Sequence, residues 1–191
     1  MSINHILQIV GGVIGFSAYF PLTAGILKGA VRQSFAAFFL WAMLDTIVTA
    51  TTILQGGNYW LPLSNVVGSV TITVLLIVKK QVSWSRIETM TAILVTACLI
   101  IWYTTGEDAG IIASSLAVLI ASIPQMVETY RNPKATPLNV YLIFLTANIL
   151  SFFAGKSWTI EERFYAGCSI FLCVMIVILS SRRARNFKPQ D

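Results

Sequence analysis

The sequence predicts an all-α integral membrane protein of seven transmembrane helices, two parallel three-helix bundles joined by a linker helix. In this 3+1+3 plan the N-terminus is outside and the C-terminus is cytoplasmic. Three observations predict it: too little charge for a water-exposed surface, basic residues gathered at alternate ends of the apolar runs, and an internal repeat.

Of 191 residues, 56% are hydrophobic and 11% charged, with a mean hydropathy of +0.76. A soluble domain carries about a quarter charged residues, so the bulk solvent of this chain is expected to be lipid. Crossing a hydrocarbon core of about 30 Å takes roughly 20 apolar residues as a helix. Seven such runs stand between polar stretches, at about 5–28, 35–55, 59–78, 87–104, 109–130, 138–155 and 162–181. The first has no Lys or Arg before its apolar core and no small-x-small site ahead of polar sequence, so it is expected to be retained as a helix. The connections are short and leave no room for a soluble domain between runs.

Orientation follows from Lys and Arg. Lys28 and Arg32 follow run one, and Lys79, Lys80 and Arg86 follow run three. Arg131 and Lys134 follow run five, and Arg182, Arg183, Arg185 and Lys188 follow run seven. These ends hold eleven of the thirteen basic residues. Lys156 and Arg163 are the other two, beside the acidic Glu107, Asp108, Glu161 and Glu162. The positive-inside rule makes the basic ends cytoplasmic, in a plasma (inner) membrane, and an odd number of spans agrees. Tyr59, Trp60, Trp102, Tyr103 and Trp158 mark the outer interface and Trp84 the inner one. The net charge of +5 is then a topological signal with some attraction to anionic lipid, and no nucleic-acid partner is expected.

A shift of 103 residues superimposes the two ends without a gap. Pro21 falls on Pro124, Lys28 on Arg131, Phe38 on Tyr141, Trp41 on Phe144 and Asp45 on Asn148. Val74, Leu76, Lys79 and Lys80 fall on Val177, Leu179, Arg182 and Arg183. The chain therefore divides into a first repeat at 1–80, a linker helix at 81–106, a second repeat at 107–183 and a basic tail at 184–191. Each repeat has three spans and run four restores the direction, so the repeats run parallel. Such symmetry places a binding site between them, near the midplane.

Asp45 lies about eleven residues into run two, half-way across. A charge there costs about 2.5–3.5 kcal/mol on insertion scales, so Asp45 is expected to face an interior cavity, as a substrate or proton site. A structural role remains open, with a protonated carboxyl, or one bonded to Asn148, joining the repeats. Asn148, which both donates and accepts, either shares the site or clamps two helices. Trp41 is one turn from Asp45 on the same face, as Phe144 is from Asn148. A flat ring beside fixed polar groups suits a sugar or amino-acid pocket, whereas a lipid-facing ring is the alternative. Phe38 and Tyr141, a further turn toward the cytoplasm, are candidate inner-gate residues. Asn65, with Ser69 one turn deeper, either lines the site or packs a helix; its mate at the 103-residue shift is Cys168. Pro21 and Pro124 each remove a backbone hydrogen bond and are candidate hinges. Gly11 and Gly15 have the small-xxx-small spacing of a helix interface.

The one histidine, His5, is expected to be solvated at the outer rim. Cys98, Cys168 and Cys173 lie in apolar runs without metal or redox spacing, so no cofactor or metal is expected. There is no G-x-S-x-G, H-E-x-x-H or phosphate loop, and no second group is legible as a partner for Asp45. The chain does not read as an enzyme.

Ile123-Pro124-Gln125, then Tyr130-Arg131-Asn132-Pro133-Lys134-Ala135-Thr136-Pro137-Leu138-Asn139, resembles the PQ-loop motif of the PQ-loop and SWEET transporter superfamily. The first repeat has a degenerate version in Tyr19-Phe20-Pro21-Leu22 and 28–34, without the Gln that follows Pro124. With the seven-run plan the resemblance covers nearly the whole chain. It implies a 3+1+3 fold that moves a small solute by alternating access, with Gln125 among the gating residues. SWEET-like members carry sugars, with aromatics of the second helix and asparagines of the third at the site, positions that Trp41 and Asn65 match in helix and depth. Cystinosin-like members export amino acids with protons through intramembrane aspartates, a mode Asp45 fits. A sugar transporter is the first expectation, a proton-coupled amino-acid transporter the alternative, and a non-transporting receptor or accessory subunit a third. The expected partners are a small solute, protons in the coupled mode, lipid, and a second copy in a homo-oligomer.

Overall fold

The computed structural model describes residues 2–105 and 107–182, the side chains of 94, 98, 101, 102 and 107–110 excepted. The side chains of Cys98, Trp102, Glu107 and Asp108, together with Arg183 and the tail at 184–191, thus lie outside what is described. The described residues are mostly helical: α1 (Ile3–Ser17), α2 (Tyr19–Leu27), α3 (Phe35–Leu54), α4 (Trp60–Val78), α5 (Arg86–Thr105), α6 (Glu107–Ala121), α7 (Ile123–Arg131), α8 (Leu138–Phe153) and α9 (Ile160–Ser181), with a 3-10 turn at Pro133–Ala135.

Five segments are long and apolar enough to cross a membrane: Ile3–Leu27, Phe35–Leu54, Trp60–Val78, Ile111–Arg131 and Ile160–Ser181. Two more expected runs form helices, the shorter apolar Leu138–Phe153 and the 20-residue Arg86–Thr105. Burial is inverted relative to a soluble protein. Phe20, Val13, Val74, Val78, Phe153 and Phe171 are exposed, while Gln8, Ser69, Ser115 and Gln125 are fully buried. Apolar side chains pointing out and polar ones pointing in suit a chain embedded in lipid.

α1 and α2, and again α6 and α7, form single spans interrupted near a proline. The breaks fall at Ala18 and Ser122, three residues before Pro21 and two before Pro124. Proline has no N–H, so the carbonyls of Ser17 and Ile120 lose their helical partners. Around the breaks the ladder shortens: Ala18 N donates to Gly15 O at 3.2 Å, and Ser122 N is shared between the carbonyls of Val118 and Leu119, both at 3.1 Å. Pro21 is exposed and Pro124 buried.

Caps set the turns at one end of the bundle. Ser34, extended at φ −73°, ψ 117°, caps α3 by accepting from Ala37 N. After α2, Gly29 takes a left-handed φ of 70°, and Ala30 N reaches back to Gly25 O at 3.0 Å. Lys80 takes the same conformation after α4 at φ 54°, although its side chain makes that conformation costly.

The packing repeats between halves. α4 packs between α1 and α3, and α9 between the α6–α7 span and α8. Across the halves α1 packs on α8 and α3 on α6, while α5 packs mainly on α6. Gly11 and Gly15 lie on the cross-half seam. Gly11 approaches the Ala147 carbonyl and Ser151, and Gly15 approaches Leu61, Ser64 and Ala147.

Side-chain and backbone contacts bring basic residues together at one end. Lys79 Nζ donates to Leu27 O at 3.4 Å, Arg32 N to Ala135 O at 3.1 Å, and Arg182 lies over the Tyr130 ring. Under the 103-residue shift Arg32 and Ala135 are mates, so that contact falls on the axis relating the halves. At the other end His5 is half-buried, edge-on to Trp60 at 6.1 Å, where the sequence suggested free solvation.

Candidate functional site

A cavity of about 50 Å³ lies between the halves. α3 supplies Phe38, Trp41 and Asp45; α4 supplies Asn65 and Ser69; α8 supplies Tyr141, Phe144 and Asn148. Tyr19 of α2, Val118 of α6, and Tyr165, Ser169, Leu172 and Cys173 of α9 complete it. All five residues expected to bind solute, Trp41, Asp45, Asn65, Phe144 and Asn148, therefore meet at one place, with both expected gate aromatics.

Asp45 is 3% exposed, and Tyr165 donates to its Oδ1 at 2.7 Å. Tyr165 in turn accepts from Asn65 Nδ2 at 2.8 Å, and Asn65 Oδ1 accepts from the Tyr19 hydroxyl at 3.3 Å. Ser69 Oγ lies 3.4 Å from the same hydroxyl. These bonds link α3, α9, α4 and α2 in one chain of polar groups. Tyr165 is thus the partner for Asp45 that the sequence left invisible. It also replaces the expected alternative of a direct bond from Asp45 to Asn148.

Asn148 Nδ2 donates to Phe144 O at 2.7 Å and approaches Cys173 Sγ at 3.8 Å. Its Oδ1 is buried without a partner among the described residues. The Phe144 carbonyl fixes which end is which: a reversed amide would set two acceptors against each other. Trp41 is not lipid-facing. It is 8% exposed, and its Nε1 donates to Ser122 Oγ at 3.1 Å. The mate of that contact is the edge-to-face pair of Tyr19 and Phe144, centroids 4.9 Å apart, because Ser122 and Phe144 are Tyr19 and Trp41 shifted by 103. Phe38 stands edge-on to Trp41 at 4.8 Å. The Tyr19 ring lies so close to α4 that a Cβ at Gly68 would overlap it.

One pairing differs from expectation. α3 and α8 keep the 103-residue relation at the cavity, but α4 and α9 are related there by 104: Ser169 and Cys173, not Cys168, stand opposite Asn65 and Ser69. One residue turns a helix by about 100°, which takes Cys168 onto the outer surface. There it lines an apolar groove with Phe152, Trp158 and Phe171.

Cross-half bonds flank the cavity at both ends. At the basic end Tyr141 donates to Gln33 Oε1 at 2.7 Å, and Gln125 Oε1 accepts from Ser34 N at 2.9 Å. A polar cleft of about 340 Å³ lies beyond, lined by Gln33, Ser34, Pro124, Arg32, Lys80 and Arg131 among others. Tyr141 lines the cavity and Gln33 the cleft, so their hydrogen bond joins the walls of the two spaces. At the opposite end Asn58 Nδ2 donates to Ser151 Oγ at 2.9 Å. Gln8 Nε2 donates to Glu162 Oε2 at 2.9 Å, and Gly57 meets the Glu161 carbonyl where a side chain would not fit.

The hinge pair divides. Pro124 is next to Gln125, inside the basic-end closure, whereas Pro21 faces outward. Six lining residues were not singled out from the sequence as site residues, Tyr19, Val118, Tyr165, Ser169, Leu172 and Cys173. Tyr19 had one signal, two residues before Pro21; Tyr165 had none, because its mate at 103 is Pro62.

No protein-family model matches the chain, and no curated protein or solved structure matches it. The likeness to PQ-loop transporters therefore rests on the motif residues themselves.

Proposed function

We propose that the protein is a seven-span membrane transporter of a small polar solute, working by alternating access between two parallel three-helix repeats. The single observation that carries this reading is a small cavity between the halves, walled mainly by apolar and aromatic groups around Asp45, Asn65 and Asn148 and flanked at each end by a separate set of cross-half hydrogen bonds. Such a cavity can open to one side while the other stays shut, as the two halves rock. The mirrored packing of α1–α4 and α6–α9 and the contact of Arg32 with Ala135 support the parallel repeat. The concentration of Lys and Arg at the Tyr141–Gln33 end supports a cytoplasmic assignment for that end in a plasma membrane. Solute then binds at Trp41, Asp45, Asn65, Phe144 and Asn148, with Phe38, Tyr141 and Gln125 on the inner gate and Pro21 and Pro124 as the compliant points.

About 50 Å³ accommodates roughly three to five waters, against roughly 300–1,000 Å³ for pockets that hold drug-sized ligands. A sugar therefore does not fit the cavity of this conformer, and enters only with one gate open. The test is uptake by proteoliposomes of a mixed labelled pool of sugars, amino acids and amines, with and without an inward-acid gradient. Saturable uptake is expected. Flux independent of the gradient gives a facilitator, and flux driven by it gives a proton-coupled carrier. Ligand affinity without flux would replace transport by a receptor role, and the absence of both would overturn the reading.

A further inference from the structure

The chemistry of the cavity narrows the solute further, on the footing of the transport reading above. Six of the 14 lining residues are aromatic and none is Lys, Arg or His. Most amide, indole and phenol donors are engaged: Tyr165 on Asp45, Tyr141 on Gln33, Trp41 on Ser122 and Asn148 on Phe144; the second N–H of Asn65 and the Ser169 hydroxyl remain on the wall. Two acceptors stand short of partners. Asn148 Oδ1 is buried without a partner among the described residues. Asp45 receives one bond, on Oδ1 from Tyr165, and among the described residues the ion pair seen is Lys156 with Glu162, far along the chain from it. A carboxylate without a counter-ion in a nearly dry site is costly, and leaving an acceptor unpaired adds to that cost. A proton on Asp45 relieves the first of these alone, whereas a solute that donates hydrogen bonds and carries positive charge relieves both. Ring faces around it add cation–π attraction, which grows when the cation is desolvated.

We infer that the solute is a small organic ammonium ion, its nitrogen donating to Asp45 and Asn148 within the aromatic wall. A neutral polyol supplies donors but leaves the carboxylate without a counter-ion. A zwitterionic amino acid supplies the ammonium, but brings a second carboxylate into a cavity with no Lys, Arg or His in its lining, where only the second Asn65 N–H and serine hydroxyls could receive it. The enclosed volume favours a solute of a few heavy atoms.

Three probes of nearly equal size separate these cases: ethanolamine, ethylene glycol and glycine. Thermal unfolding of the purified full chain in detergent, and uptake into proteoliposomes corrected for protein-free vesicles, are measured for each. Ethanolamine is expected to raise the melting temperature and to be carried, with the other two at least about tenfold weaker. Asp45→Asn should abolish the ethanolamine shift, and Asn148→Ala should weaken it. Because Asp45→Asn alone could disturb folding, the wild-type ranking of the three probes stands as an independent criterion. Preference for ethylene glycol, glycine or a labelled sugar would overturn the ammonium assignment and leave transport standing. Absence of flux for these and for the mixed pool would overturn both.

Discussion

At the scale of single residues, the bond from Tyr165 to Asp45 decides how the acid is held. Its removal leaves a carboxylate oxygen and an asparagine N–H without partners, while the ring still packs. Hydrogen bonds inside membrane proteins are worth about 0.6–2 kcal/mol, so Tyr165→Phe should destabilise by about 1–2 kcal/mol. Binding should fall with it, since Asp45 loses its orientation. Thermal unfolding and a titration of the best probe solute check this; an unchanged melting temperature and affinity would remove Tyr165 from the site. At this scale the sequence was informative where a residue type is expensive. Asp45, Asn148 and Trp41 stand out because polar or bulky groups at mid-depth demand a reason. Tyr165 does not stand out, since a tyrosine near a helix start also reads as an interface anchor. Its role depends on which face of α9 turns inward, and one residue of offset between α4 and α9 hides that from the 103-residue shift.

At the scale of elements, the halves are similar in packing and unlike in one bond. Gln125 accepts from the Ser34 N–H at the start of α3. The mates of these residues are Leu22 and Pro137, and the pair explains itself: proline offers no N–H, so a glutamine at 22 would have nothing to accept there. The degenerate first motif is therefore the complement of Pro137 and no sign of decay. Gln125→Leu should leave a buried N–H unpaired and destabilise the closed state by about 1–3 kcal/mol. Leu22→Gln should bring no matching gain. Unfolding of both variants tests the asymmetry, and equal effects would refute it. The helix breaks were legible, since prolines 21 and 124 announce them, but their depth of burial was not. Pro124 is packed inside the closure and Pro21 is exposed, so Pro124→Ala should slow turnover more than Pro21→Ala, with KM little changed in either. A larger effect at Pro21 would move the hinge to the first half.

At the scale of the whole molecule, two sets of cross-half bonds stand above and below one cavity, and alternating access needs them to act as independent closures. Cys173 gives a direct readout, for it is a buried free thiol on the cavity wall. With Cys98 and Cys168 replaced by serine, Cys173 becomes the single thiol. A membrane-impermeant maleimide should then label it slowly in the wild-type background from either side. Gln33→Ala or Gln125→Ala loosens the Tyr141 end and should speed labelling in inside-out vesicles, where the basic end faces the reagent. Asn58→Ala or Gln8→Ala loosens the other end and should speed it in right-side-out vesicles. A solute that occupies the cavity should protect the thiol in both. Charge placement along the sequence makes the sidedness expected, whereas the closures come from packing that brings residues more than ninety positions apart into contact, such as Asn58 with Ser151. Labelling from one side with all four variants would mean a single mouth, the geometry of a receptor. Labelling from opposite sides with the two pairs would establish two gates about one site.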